Sequence, residues 1–258
     1  GTDLGGSSPT FTTSADTITF GTGNVTHIDD LTVNSVGGLI DFEGSIRGTS
    51  DEVLVLNANA GSNNASTNEK VIVAAIGTFS DEIHSVSITG RDGITLEGNI
   101  TTSNKSSNNV SFTGPVSINA ATVAIDTNAA GNDGTVTFSS TIDSLTSGRN
   151  LDIVSATGNV TVTGAIGSTL ALASLDINQA AGDGDITLTS NIGSSTSSPG
   201  VTGVTRIGNA ATADLNLNGT VYTTGGTTTY TSAGTDLGGS SPTFTTSADT
   251  ITFGTGNV

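Results

Sequence analysis

Apolar and polar residues alternate along this chain in short bursts. Five segments share one scheme: GLIDFEGSI at 38–46, GITLEGNI at 93–100, GTVTFSSTI at 134–142, GNVTVTGAI at 158–166 and GDITLTSNI at 184–192. Each has a β-branched residue, a polar one, a large apolar one, a small residue nearby and then Ile. Looser copies lie at 17–20, 109–116 and 214–221, and most copies follow a shorter two-point pattern. That pattern is Leu31/Val33, Val86/Ile88, Val123/Ile125, Leu151/Ile153 and Leu175/Ile177. Alternation with period two describes a strand with one buried face. Ile40 and Phe42 then point inward, and Asp41 and Glu43 outward. Gly-rich breaks at 131–134 and 182–184 supply turns that need positive φ.

The anchors Val136, Val160 and Ile186 recur at nearly even intervals. A coil of roughly 22–30 residues with two or three short strands cannot bury its own apolar face, whereas stacking coil on coil can. The expected fold is all-β: a parallel β-helix, or β-solenoid, of about nine or ten coils. A β-sandwich also uses short strands and frequent turns, but its facing strands would differ in sequence. The repeat places Thr95, Ser111, Thr137, Thr161 and Thr187 in one outward column, and Ile46, Ile100, Ile142, Ile166 and Ile192 in one inward column. The expected core comprises those five Ile with Ile40, Phe42, Ile94, Leu96, Phe112, Phe138, Val162 and Leu188. Residues 65–85 carry a thin helical signal, at 68–75, but fit the strand pair of an irregular coil better.

A second, much longer repeat is superimposed on the first. Residues 1–25 and 234–258 are both GTDLGGSSPTFTTSADTITFGTGNV, identical at all 25 positions, with a period of 233. Packing alone does not impose such identity, because it tolerates exchange at positions such as Thr13 and Asp16. With neither an initiator Met nor a leader at its start, the chain reads as one tandem unit, 1–233, followed by the opening of the next, 234–258. Both copies should then adopt the same backbone, displaced along the solenoid axis by about 45 Å at roughly 4.8 Å per coil.

Composition narrows the chemistry. No apolar run reaches the length of a membrane span. There is no Cys, so disulfides and thiolate metal sites are excluded. The formal charge of −17, from 23 acidic and six basic residues, argues against nucleic acid as a partner. A carbohydrate-cleaving β-helix would need paired carboxyls and a base on an outer groove. Asp41/Glu43, Glu97 and Arg91 are the nearest approach, no sugar platform accompanies them, and the chain is read as non-enzymatic with no cofactor. His27 and His84 stand alone, without ligand spacing. Calcium prefers carboxylates and backbone carbonyls, which makes Asp41, Asn132, Asp133, Asp183 and Asp185 weak candidates; good turn formation explains the same residues. Thr-x-Thr faces could bind ice, but Asp41/Glu43 and Asn216/Asn218 interrupt them. Sequons at Asn24, Asn64, Asn99, Asn104, Asn109, Asn159 and Asn218 are expected in a sequence so rich in Asn and Thr.

The runs GNVTVTGAIGSTLALASLDI, GTVTFSSTIDSLTSGRNLDI and VYTTGGTTTYTSAG resemble the repeats of giant bacterial surface or secreted proteins with filamentous-haemagglutinin-like tandem β-solenoids. The resemblance covers roughly residues 17–230 and is one of style. It implies a secreted, extracellular or cell-surface filament or adhesin and transfers no catalytic residue; the 233-residue repeat adds that identical units meet head to tail in a filament. The alternative is an adhesin whose solenoid face binds a glycan or a surface ligand. Absence of Cys and Met suits an oxidising exterior.

Overall fold

The computed structural model describes residues 1–14, 16–49, 51–59, 68–78, 80–129, 132–179, 182–247 and 249–256. The described residues form an all-β parallel solenoid of about ten coils, with three faces, and contain no helix. Each coil visits face I, then II, then III. Face II is one continuous sheet of ten strands: Thr10–Thr13, Leu31–Ser35, Val53–Asn57, Ser85–Thr89, Val110–Thr113, Val136–Phe138, Val160–Val162, Ile186–Leu188, Asp214–Leu217 and Gly234–Asp236. Face III runs from Ile18–Phe20 and Ile40–Phe42 to Ile142–Ser144. It continues through the bridges Ile142, Ile166, Ile192 and Tyr222 to Val221–Thr224 and Thr243–Thr246. Face I begins at Thr2–Leu4 and Val25–His27 and ends at Thr228–Thr231 and Ile251–Gly254. Successive strands on face II are parallel and in register, but coil lengths are uneven. The step from Leu215 to Thr235 is short and that from Leu54 to Val86 long, a wider spread than the sequence suggested.

Period-two alternation becomes two inward columns on face II. One is Leu31, Leu54, Val86, Val110, Val136, Val160, Ile186 and Leu215; the other is Val33, Leu56, Ile88, Phe112, Phe138, Val162, Leu188 and Leu217. All are at most 2% exposed, as is every member of the expected core. Thr137 and Thr161 stay half-buried on the outer side while Val136 and Val162 are inside. Phe112 and Phe138 stack at 4.7 Å, and Phe20 and Phe42 at 4.2 Å, adding offset-ring attraction to the burial of apolar area. Residues 70–73 form a strand on face III, Lys70–Val73, with Val71 and Val73 inside; the rest of that coil, 60–67, lies outside the described residues.

Two expected columns need correction. Thr95 pairs with Ile72 and Ser117 on face III, whereas Ser111, Thr137, Thr161 and Thr187 pair in series on face II, with Ser87 at one end and Asn216 at the other. The Ile column also splits. Ile46 and Ile100 belong to face I through Ile76, while Ile142, Ile166 and Ile192 belong to face III. The scheme therefore occupies faces III and I in its first two copies and faces II and III in its last three. Period two separates inside from outside but does not say which of three equivalent faces a strand joins.

Close stacking of coils explains one set of glycines. A Cβ on Gly158 would lie 2.1 Å from the Gly134 carbonyl oxygen, and one on Gly184 would lie 2.2 Å from that of Gly158. These three residues open the face II strands, where backbones of successive coils touch.

Candidate functional surface

The corners between faces carry most of the Asn and Asp, and their side chains bind the next coil. Asn109 Oδ1 accepts the Thr135 N–H at 2.8 Å, and Asn159 Oδ1 accepts the Asp185 N–H at 2.9 Å. Asp185 Oδ1 accepts the Asp214 N–H at 3.2 Å, and Asn191 Oδ1 accepts the Thr220 and Val221 N–H groups at 2.8 and 3.0 Å. Asp30 does the same for Val53, Asn99 for Ala124 and Asp143 for Thr169. Each bond spans one coil and satisfies a backbone donor where the strand ladder lapses. Of these residues the sequence alone assigns only Asp185 to a turn; the partners of all of them lie a full coil further along the chain, visible only once the coils stack.

Inside the corner between faces I and II lies a second set, with Asn108 and Asn178 buried and Asn209 half-buried. Asn108 Nδ2 donates to the carbonyls of Ser103, Thr127 and Asn132 at 2.9, 3.1 and 3.2 Å. Asn178 Oδ1 accepts the Ser155 N–H at 2.7 Å, and Asn209 Nδ2 donates to the Asn178 carbonyl at 2.6 Å.

The calcium candidates are dispersed. Asn132 and Asp133 lie in a short antiparallel pair with Asn128–Ala129. Asp133 Oδ2 accepts from the Thr157 N–H and hydroxyl at 3.1 and 2.7 Å. Asp185 holds Asp214, as above, and the Asp183 carbonyl accepts the Ala213 N–H. Asp41 sits on face III, far along the chain from the rest. Among the described residues no group of three or more His, Asp or Glu is placed to hold a metal ion.

The structure does gather carboxylates in two places. Burial raises the Asp41 carboxyl above its ordinary value, and the charges of Glu43 and Glu97 raise it further. Glu97 Oε1 accepts from Asn119 Nδ2 at 2.9 Å. Arg91 does not join them: its Nε lies 2.8 Å from Glu69 and 3.6 Å from Asp92. The second gathering was not singled out in the sequence. Asp152 and Asp176 stack in register on the outside of face I. Burial, then Asp176, then Asp126 raise the Asp152 carboxyl. The repeated triplet Leu-Asp-Ile at 151–153 and 175–177 was the signal. Arg206 continues this column, 3.4 Å from Asp176, beside an open hollow of about 340 Å³ lined by Gln179, Gly208, Asn209, Ala210, Thr229 and Thr231.

The two isolated histidines differ. His84 Nε2 lies 2.9 Å from the Ser106 carbonyl oxygen at the surface, while His27 is fully buried, with Nδ1 2.8 Å from the Asp29 carbonyl oxygen. Burial alone would raise the Glu52 carboxyl. Hydrogen bonds from the Thr49 side chain and backbone and from its own N–H, with the charge of His27, hold it below the ordinary value.

Among the described residues every aromatic ring is buried or half-buried against the core. Tyr222 and Tyr230, the only tyrosines, are each 1% exposed and belong to the core. The Tyr222 hydroxyl accepts the Gly219 N–H at 2.8 Å, and burial pushes its pKa up to about 12. Burial also pushes the Tyr230 phenol up. Among the described residues no helix is long and apolar enough to cross a membrane. Comparison of the chain with protein families, with curated proteins and with solved structures gives no match.

Proposed function

We propose that this chain is a structural segment of an extracellular filament or cell-surface fibre, built from tandem 233-residue units joined head to tail. The observation that carries the reading is the behaviour of the identical 25-residue segments. In the first, the side toward the following coils is paired: Thr10–Thr13 with Leu31–Ser35, and Ile18–Phe20 with Ile40–Phe42. In the second, the opposite side is paired, with Asp214–Leu217, Val221–Thr224 and Thr228–Thr231. One sequence thus has partners for both edges, which is what an interior coil of a continuous rod requires. A net charge of −17 keeps such rods from bundling. Enclosure of both Tyr side chains favours the rod over a glycan-binding adhesin, since sugar recognition uses exposed rings.

Intact mass of the native protein and antibody labelling of unpermeabilised cells test this reading. A chain containing several 233-residue units, labelled on the outside of intact cells, is the expected result. A single-unit protein confined to the cell interior overturns it.

A further inference from the structure

The two copies do not sit on the same face. Thr2–Leu4 lies on face I, but the strand Gly234–Asp236, which holds the counterparts of Thr2 and Asp3, lies on face II. Thr10–Thr13 moves from face II to face III as Thr243–Thr246, and Ile18–Phe20 moves from face III to face I as Ile251–Gly254. Ten strands stack on face II from Thr10–Thr13 to Gly234–Asp236, hence nine rungs, and the second copy begins one face earlier in its own sequence than the first strand of that stack. A unit is therefore nine and one-third coils.

Local structure survives this shift. Phe11 and Phe20 meet edge to face at 5.5 Å and 90°, and their counterparts Phe244 and Phe253 meet at 5.0 Å and 87°. Ser8 and Ser241 both have positive φ, 48° and 55°. The second copy is also seated on rings found nowhere else in the unit: Phe244 stacks on Tyr222 at 4.8 Å and Phe253 on Tyr230 at 5.2 Å. In the first copy, Phe20 stacks onward onto Phe42. Superimposing the copies makes one aromatic column, Tyr230, Phe20 and Phe42, that crosses from one unit into the next.

We infer that successive units of the array join without a break in the solenoid, each rotated by one face relative to the last, with Tyr222 and Tyr230 seating the first coil of the following unit. The partner at each open end is another copy of this unit, and the full repeat is three units, or 28 coils, about 135 Å at ~4.8 Å per coil. The contact is heterologous and open, so it propagates without closing. Any surface feature, such as the Asp152/Asp176 stripe, is displayed in turn to three sides of the rod. This rests on the tandem reading above but is tested separately from it.

Two measurements suffice. The chain has no Cys, so cysteine pairs report stacking without background. In the 258-residue protein, Asn216→Cys/Asp236→Cys and Thr229→Cys/Thr252→Cys, both in-register neighbours, should cross-link with a short bismaleimide. The mixed pair Asn216→Cys/Thr252→Cys should not. In a chain of three tandem units carrying Thr163→Cys, an exposed position, maleimide-gold clusters should appear by cryo-electron tomography about 45 Å apart along the rod, on three different sides. Clusters on one side, or failure of both neighbour pairs to cross-link in folded protein, overturn the inference. Stepped clusters from a protein whose native form is a single intracellular unit would retire the fibre reading and leave the rotation standing.

Discussion

Replacing Phe138 with Ala tests the stacked-coil architecture most directly. The ring is fully buried, stacked on Phe112 at 4.7 Å, and belongs to a column with Val162 on its other side. Removing it should cost about 3–5 kcal/mol through lost transfer energy and a residual cavity. About 0.5–1.5 kcal/mol of that is the ring pair itself, so Phe112→Ala/Phe138→Ala should cost less than the sum of its parts. Because each coil touches only its neighbours, the damage should stay local. Amide hydrogen exchange should speed up by roughly a hundredfold or more in Val110–Thr113, Val136–Phe138 and Val160–Val162. The strands Leu31–Ser35 and Thr228–Thr231 should be nearly unchanged. Phe138→Leu, which refills most of the space, should cost about 1–1.5 kcal/mol. Uniform loss of protection along the whole chain, or no loss at the three neighbouring strands, would refute the reasoning.

Gly158→Ala should destabilise by about 2 kcal/mol or more in chemical denaturation, since the new methyl meets the Gly134 carbonyl at 2.1 Å and both are backbone. Gly148, at φ +86° with open space around it, should lose stability to any side chain through backbone strain alone, and less to Asn than to Val. Asn159→Ala leaves the Asp185 N–H without its acceptor and should cost about 1 kcal/mol, read as lower thermal stability. Asp152→Asn should stabilise at neutral pH, by about half a kcal/mol after solvent screening. Its carboxyl is raised in the folded protein, so the ionised form opposes folding and protonation relieves it as pH falls through the folded pKa. The gap between variant and parent should therefore close in acid; a gap that widens there would contradict the stripe's repulsion.

Much of the fold was legible without the structure, because alternation is a local property. A strand buried on one side writes its orientation into every second residue, and Ile40, Phe42, Phe138 and Leu188 were each identifiable as inward from two or three neighbours. The coil length was legible for the same reason, from the spacing of Val136, Val160 and Ile186. The functional surface was less so. Nothing on either side of Asn109, Asn159 and Asp185 in sequence reveals their bonding partners, which belong to the next coil. Only tertiary stacking decided which face each strand joined. Nothing within GLIDFEGSI or GTVTFSSTI distinguishes face III from face II, since all three faces offer the same parallel edge and the same apolar interior. The face is set by accumulated corner lengths, which differ from coil to coil, and by hydrogen bonds that reach from each coil to the next. That accumulation is also why two identical 25-residue segments end up one face apart: their local energies are the same, and the coil count between them is not a whole number.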